Sequence, residues 1–223
     1  MARPTTGRVL AVCAAQRDVV LDSIGASGID KRPLSGPVAV VETGLTLDHS
    51  CDTRHHGGVD QAVYAYDDAE AARWATDLGR DLPAGWFGEN LRVSGLAVTD
   101  AVVGERWRVG RSVELEATIP RMPCRTFAVW AAEPRWVKRF LDRGDFGAYL
   151  RVCTPGEIQA GDEVTVVSRP DHGVRVRDLL AGTGDPDALR ALLADPDLPA
   201  KVRREATKAL KRATHGAPDK TSA

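Results

Sequence analysis

The feature that most constrains this chain is a succession of short valine-rich runs, each bounded by glycine, proline or aspartate, continuing to about residue 168. Residues 9–14, 38–42, 62–66, 105–109, 112–118 and 163–167 read as strands, because β-branched side chains in alternation suit a pleated, half-buried surface. Gly110 and Arg111 between two of these runs predict a two-residue hairpin turn, with glycine supplying a positive φ. The region is therefore mainly β.

Helices interrupt the pattern. Asp67 with Glu70 reads as a capping box, followed by an apolar face of Ala69, Ala72, Trp74, Ala75 and Leu78 and a stop at Gly79. A second helical stretch covers residues 126–143, divided near Pro134, with Trp136, Val137, Phe140 and Leu141 as its stripe and Gly144 as its end. That tryptophan-rich stripe reads as core packing. Beyond His172 the chain turns helical: Asp185-Pro186 and Leu198-Pro199 each mark a helix start, with proline where its missing N–H costs nothing. The basic stretch 201–212 reads as a solvated helix packing on Val202, Ala206 and Leu210.

Charge narrows the partners. Thirty basic and thirty-one acidic side chains leave a net charge of -1, so no global field points to nucleic acid or an anionic membrane. The apolar stretch at residues 9–15 is about seven residues long and too short to span a bilayer, so it reads as a buried first strand. Cys13, Cys51, Cys124 and Cys153 lie far apart with no Cys-x-x-Cys pair; they read as reduced thiols of a cytoplasmic protein.

Three clusters carry chemistry. In Arg54-His55-His56-Gly57-Gly58-Val59-Asp60-Gln61, two glycines let the backbone turn and present amides among polar side chains. In Gly85-Trp86-Phe87-Gly88-Glu89-Asn90, glycines bracket two aromatics, and Asn90 can donate and accept together, as a pterin or purine edge requires. In Pro120-Arg121-Met122-Pro123-Cys124-Arg125, two prolines hold a thiol between two arginines, a setting that favours the thiolate and hence a soft metal.

Taken in order, these clusters resemble the MOSC family, named for the C-terminal domain of molybdenum-cofactor sulfurases, and within it the YiiM-like branch. The resemblance also includes residues 27–33, Gly44-Leu45-Thr46-Leu47-Asp48, residues 103–110, Tyr149-Leu150-Arg151-Val152 and Ala160-Gly161-Asp162. It implies a β-barrel domain with peripheral helices over residues 1–172, and a helical C-terminal segment over 173–223 with a frayed end. It further implies a molybdenum cofactor ligated by Cys124, with Lys31, His55, His56, Gly57, Gly58, Asp60, Glu89, Asn90 and Arg121 around it.

The implied activity is reduction of small N-hydroxylated compounds to amines, with electrons from a separate reductase, since no flavin, haem or iron–sulfur motif is present. The helical tail is expected to dock that reductase or to form a homodimer. One departure stands out: the family pattern Gly-Leu-x-Gly-Asp has Leu47 here in place of its second glycine. Two rivals remain at this stage: a carrier of cofactor or sulfur on Cys124, and a zinc hydrolase built on His55, His56 and Asp60.

Overall fold

The computed structural model of the chain describes residues 4–49, 51 and 57–215. The first strands are β1 (Thr6–Ala14), β2 (Val19–Leu21), β3 (Gly25–Ser27), β4 (Arg32–Pro33), β5 (Val38–Val41) and β6 (Gly44–Leu45). There follow β7 (Val63–Asp67), α1 (Asp68–Leu78), β8 (Leu91–Ser94), β9 (Arg106–Val109) and β10 (Val113–Ala117). Two helices, α2 (Arg125–Ala131) and α3 (Trp136–Arg143), precede β11 (Ala148–Thr154), β12 (Gly156–Ile158) and β13 (Glu163–Ser168). The chain continues through α4 (Asp178–Ala181), α5 (Pro186–Leu193) and α6 (Ala200–His215).

Strands β13-β9-β10-β11-β7-β8-β1 form a ring, closed where Thr6, Gly7 and Arg8 of β1 meet Thr165, Val164 and Glu163 of β13. Closure leaves none of these strands with an open edge. Alternation explains which side faces in: along β9, Trp107 and Val109 are buried while Arg106 and Arg108 are exposed. A register shift in β1 between Val9 and Ala11 turns Leu10 outward, 42% exposed, and keeps Val9 and Val12 in the core. Every neighbouring pair in the ring is antiparallel except β7 and β8, and α1 supplies the crossover that a parallel pair needs. The β9–β10 hairpin pairs Val109 with Val113, so its loop takes three residues, 110–112, rather than the expected two.

Helix α1 starts as the sequence implies, with the Asp67 carboxylate accepting from the Ala69 amide at 2.8 Å, and ends at Gly79 in the left-handed region. The reciprocal half of the capping box does not form. Glu70 instead turns inward and accepts from the Thr99 hydroxyl at 2.6 Å. Burial pushes its carboxyl up to about 8, against the lowering effect of the Thr99 hydrogen bond.

Because this folded-state value exceeds the unfolded one, the folded state holds the extra proton between about pH 4.5 and 8. The stability from Glu70 is thus full below that window and is lost as pH rises through it, by up to about 1.4 kcal/mol per pH unit. We expect Glu70→Gln to flatten the wild-type fall in unfolding free energy between these values. Chemical denaturation at several pH values checks this; an unchanged slope would contradict it.

Helices α1, α2 and α3 cover one side of the barrel with an aromatic layer. The Trp74 and Trp136 rings lie 4.7 Å apart, and Phe127 meets Trp136 and Phe140 edge-on at 5.3 and 5.2 Å. The tryptophan stripe is therefore core, as its spacing implied. It is narrower than expected, since Leu141 stands 38% exposed.

The C-terminal helices pack onto the barrel. Val174, Leu179, Leu189, Val202 and Ala206 belong to one buried cluster with the inward residues of β1, β9 and β10. Among the described residues, no helix is long and apolar enough to cross a membrane.

Candidate functional site

One mouth of the barrel opens into a cavity of about 480 Å³. Six separate segments build its wall. Lys31 comes from the stretch after β3, and Asp48 from the turn after β6. Gly57 and Gln61 lie just before β7, Asn90 at the entry to β8, and Arg121 and Cys124 between β10 and α2. Tyr64 of β7 and Tyr149 of β11 complete it.

The proline-rich segment is placed by backbone pairing that stops abruptly. Thr118 donates its amide to the Tyr149 carbonyl at 2.9 Å, and Tyr149 returns one to Ile119 at 2.8 Å. Pro120 has no amide to extend this ladder, so the chain leaves the sheet. It then delivers Arg121 inward and holds Cys124 in extended conformation at the residue preceding α2.

The guanidinium of Arg121 is buried, donates to the Phe87 carbonyl, and lies 4.1 Å from the Phe127 ring centroid and 5.2 Å from that of Tyr64. Among the described residues no carboxylate forms an ion pair with it. Burial acts to lower its pKa, and Tyr64, Tyr149, Cys124 and Glu89 together carry it above the usual arginine value, so it stays cationic. Gly88 makes room for it: a Cβ there would stand 3.2 Å from Arg121 Nη1. Arg125, the other arginine flanking Cys124, is exposed.

A polar network stands opposite. The Asp48 carboxylate accepts from Lys31 Nζ, from Asn90 Nδ2 at 2.8 Å and from the Ala15 amide at 2.9 Å. Asn90 also accepts from the Tyr64 amide at 3.0 Å and donates to the Cys13 carbonyl at 3.2 Å, so it stitches β7, β1 and the cavity wall together. Burial pulls the Lys31 pKa below the usual lysine value, and the Asp48 charge and hydrogen bond partly restore it. Burial likewise raises the Tyr149 phenol; Arg121 opposes this and Cys124 adds to it, so Tyr149 presents a neutral hydroxyl. Leu47 stands 55% exposed, away from this network, so its side chain in place of the family's glycine leaves Asp48 at the wall.

Of the residues singled out in the sequence, Lys31, Gly57, Asn90, Arg121 and Cys124 meet at this cavity. His55 and His56 lie outside the described residues. Gly58 takes a φ of +83° in the turn leading to Asp60 and Gln61, and neither Gly58 nor Asp60 lines the wall. Glu89 does not reach the wall either. It is wholly buried, accepts from Arg92 Nη2 at 2.6 Å and from the Gly85 amide at 2.8 Å, and holds the loop that carries Asn90. Gln61 of the first cluster also lines the wall, as do Asp48, Tyr64 and Tyr149, which lie outside the set that the resemblance implies around the cofactor. For Asp48 the signal was present in the Gly-Leu-x-x-Asp run.

The C-terminal segment also reaches the site. Lys201 of α6 donates to the Gln61 side chain and to the Gly57 carbonyl, the latter at 3.3 Å. We expect Lys201→Ala to raise amide exchange at residues 58–61 about tenfold, the factor that corresponds to losing a charged hydrogen bond of ~1.4 kcal/mol. Hydrogen-exchange mass spectrometry measures this, and unchanged exchange would contradict the contact.

Comparison with known proteins agrees with this architecture. The family model of the MOSC domain matches residues 52–165. The Bacillus subtilis protein YflK is 31% identical over 151 residues, covering 68% of each chain. A Gibberella moniliformis protein named a reductase is 30% identical over 147 residues, 65% of this chain but only 26% of that one, so the chain spans about a quarter of that relative. The crystal structure of YiiM from Geobacillus stearothermophilus superposes with a TM-score of 0.73 at 25% identity, over 92% of this chain and 99% of that one. The family match spans about half of the chain, and the barrel and the ordered motifs accord with it: the chain belongs to the MOSC domain family.

Proposed function

We propose that the chain is a reductase of N-hydroxylated compounds that works with a molybdenum cofactor in the cavity between Cys124, Arg121 and Lys31. The observation that carries this reading is one cavity wall bearing a thiol, a buried guanidinium without a carboxylate partner among the described residues, and a largely buried lysine. The donor set fits the group. A thiol is a soft donor suited to molybdenum, while the Arg121 guanidinium suits an anionic phosphate or an electron-rich pterin edge. The cavity lies within the roughly 300–1,000 Å³ usual for small-molecule sites.

When bound, the cofactor supplies two-electron chemistry that no side chain here provides. The net reaction takes a hydroxylamine, two electrons and two protons to the amine and water. Cys124 holds the metal. Arg121 orients the anionic part of the cofactor from a fixed position against Phe87 and Phe127. Lys31 Nζ, held by Asp48, keeps a proton at the wall, and its lowered pKa eases transfer toward the departing oxygen. Tyr149 offers a neutral hydroxyl as a second donor. The electrons come from a separate reductase.

Protein from a cofactor-competent host should convert an N-hydroxylated base analogue to the amine when a suitable electron donor is supplied, and protein from a cofactor-deficient host should not. Stoichiometric cofactor handover to another enzyme without turnover would favour the carrier reading instead.

A further inference from the structure

A second set of ligand-type side chains stands at the rim of the cavity, outside the residues used above. His49 and Cys51 line the cavity, and Asp18, in the loop between β1 and β2, lies against both. The His49 Nε2 is 2.5 Å from Asp18 Oδ1, and the Cys51 thiol donates to that same oxygen at 3.2 Å. One nitrogen, one sulfur and one oxygen donor thus fall within 4.8 Å of one another. All three side chains are exposed, so packing of the core does not account for them. A single carboxylate oxygen thus faces both an imidazole and a thiol.

Two of the three donor pairs lie near the spacing a metal requires, and the nitrogen–sulfur pair lies within 4.8 Å. Zinc bonds of about 2.0–2.3 Å to nitrogen, oxygen and sulfur put tetrahedral donors roughly 3.4–3.6 Å apart. The sulfur–oxygen pair needs to open by a few tenths of an ångström and the nitrogen–oxygen pair by about 1 Å. Both adjustments fall on loop residues at the surface.

We propose that Asp18, His49 and Cys51 form a site for a zinc-type divalent cation at the rim of the cavity, with water in the fourth position. Thiolate and imidazole select zinc over magnesium or calcium, which favour all-oxygen sets. The cation would tie the loop before β2 to the segment that carries Asp48, and so brace the wall that holds Lys31 and Asn90. This site is separate from Cys124 and does not depend on the reductase reading.

The test uses the full chain stripped of metal with a chelator. Zn²⁺ is titrated by calorimetry, and Co²⁺ serves as an optical probe through its thiolate charge-transfer absorption. We expect saturable Zn²⁺ binding in equal amount with the chain, and a Co²⁺–thiolate band that survives in Cys124→Ala. Cys51→Ser should abolish the band, and Cys51→Ser and His49→Ala should each weaken Zn²⁺ binding by at least about tenfold. Because these side chains are exposed, thermal unfolding of the stripped variants should match the wild type. Absence of saturable Zn²⁺ binding, or a band that persists in Cys51→Ser and vanishes in Cys124→Ala, would overturn the proposal.

Discussion

Cys124→Ala is expected to lose turnover of N-hydroxylated substrates by more than about 100-fold, beyond the 10–100-fold typical of groups that only support a ligand. The thiol lies at the cavity wall, only partly buried, and its side chain caps no amide of α2. Removing one sulfur there leaves in place the proline-fixed backbone and the 3.0 Å hydrogen bond that the Ala128 amide donates to the Cys124 carbonyl. Stability should therefore change little while activity disappears. That split separates a reacting group from a packing one. Steady-state kinetics beside a thermal melt measures it, and a variant with full turnover would remove Cys124 from the account.

Asp48→Ala is expected to be the most destabilising change at the site. The carboxylate serves three donors at once, and its partner Lys31 is largely buried, with side-chain exposure of 13% for each. Breaking a buried pair by deleting one member costs about 3–5 kcal/mol, and partial water access puts this one near the lower figure. For a chain of this length ~3 kcal/mol lowers Tm by roughly 6–12 °C.

The loss comes largely from stranding the lysine and the Asn90 amide. Lys31→Met should therefore cost less in the Asp48→Ala background than in the wild type. Denaturant unfolding of the four proteins in the cycle checks this; strictly additive losses would show that the pair does not hold the wall.

The barrel was legible where alternation is clean. In β9 and β10, Trp107, Val109, Val113 and Leu115 mark the inner face without interruption. Strands β8 and β11 were not read from pattern because charge sits where an apolar residue would be expected. Arg92 is buried within β8 by its pair with Glu89, and Arg151 of β11 stands half-buried against Glu116. Glu116 is supplied by the fold, and Glu89, although only three residues from Arg92, adds one more charge to a glycine-rich run, so the local sequence looks like a loop.

The same reason governs the site. Lys31, Asn90, Arg121 and Cys124 lie in compact motifs that could be noticed one by one. Asp48 and Tyr149 also lie in runs that the resemblance includes, but their place at one cavity appears only when β6, β8 and β11 bring them together. Glu89 illustrates the converse. The sequence sets it beside Asn90, yet neighbours entering a strand point to opposite sides, and Glu89 turns to Arg92 while Asn90 turns to Asp48. Glu70 follows the same pattern: a spacing that suggests a cap became a buried acid because Thr99 met it across the fold.

The central claim is that this cavity holds a molybdenum cofactor through Cys124. Elemental analysis of protein purified from a molybdenum-competent host tests it most directly. Molybdenum is expected in equal amount with the wild-type chain, with a large loss of it in Cys124→Ala. Wild-type protein without molybdenum, or a Cys124→Ala protein that keeps it undiminished, would contradict the claim.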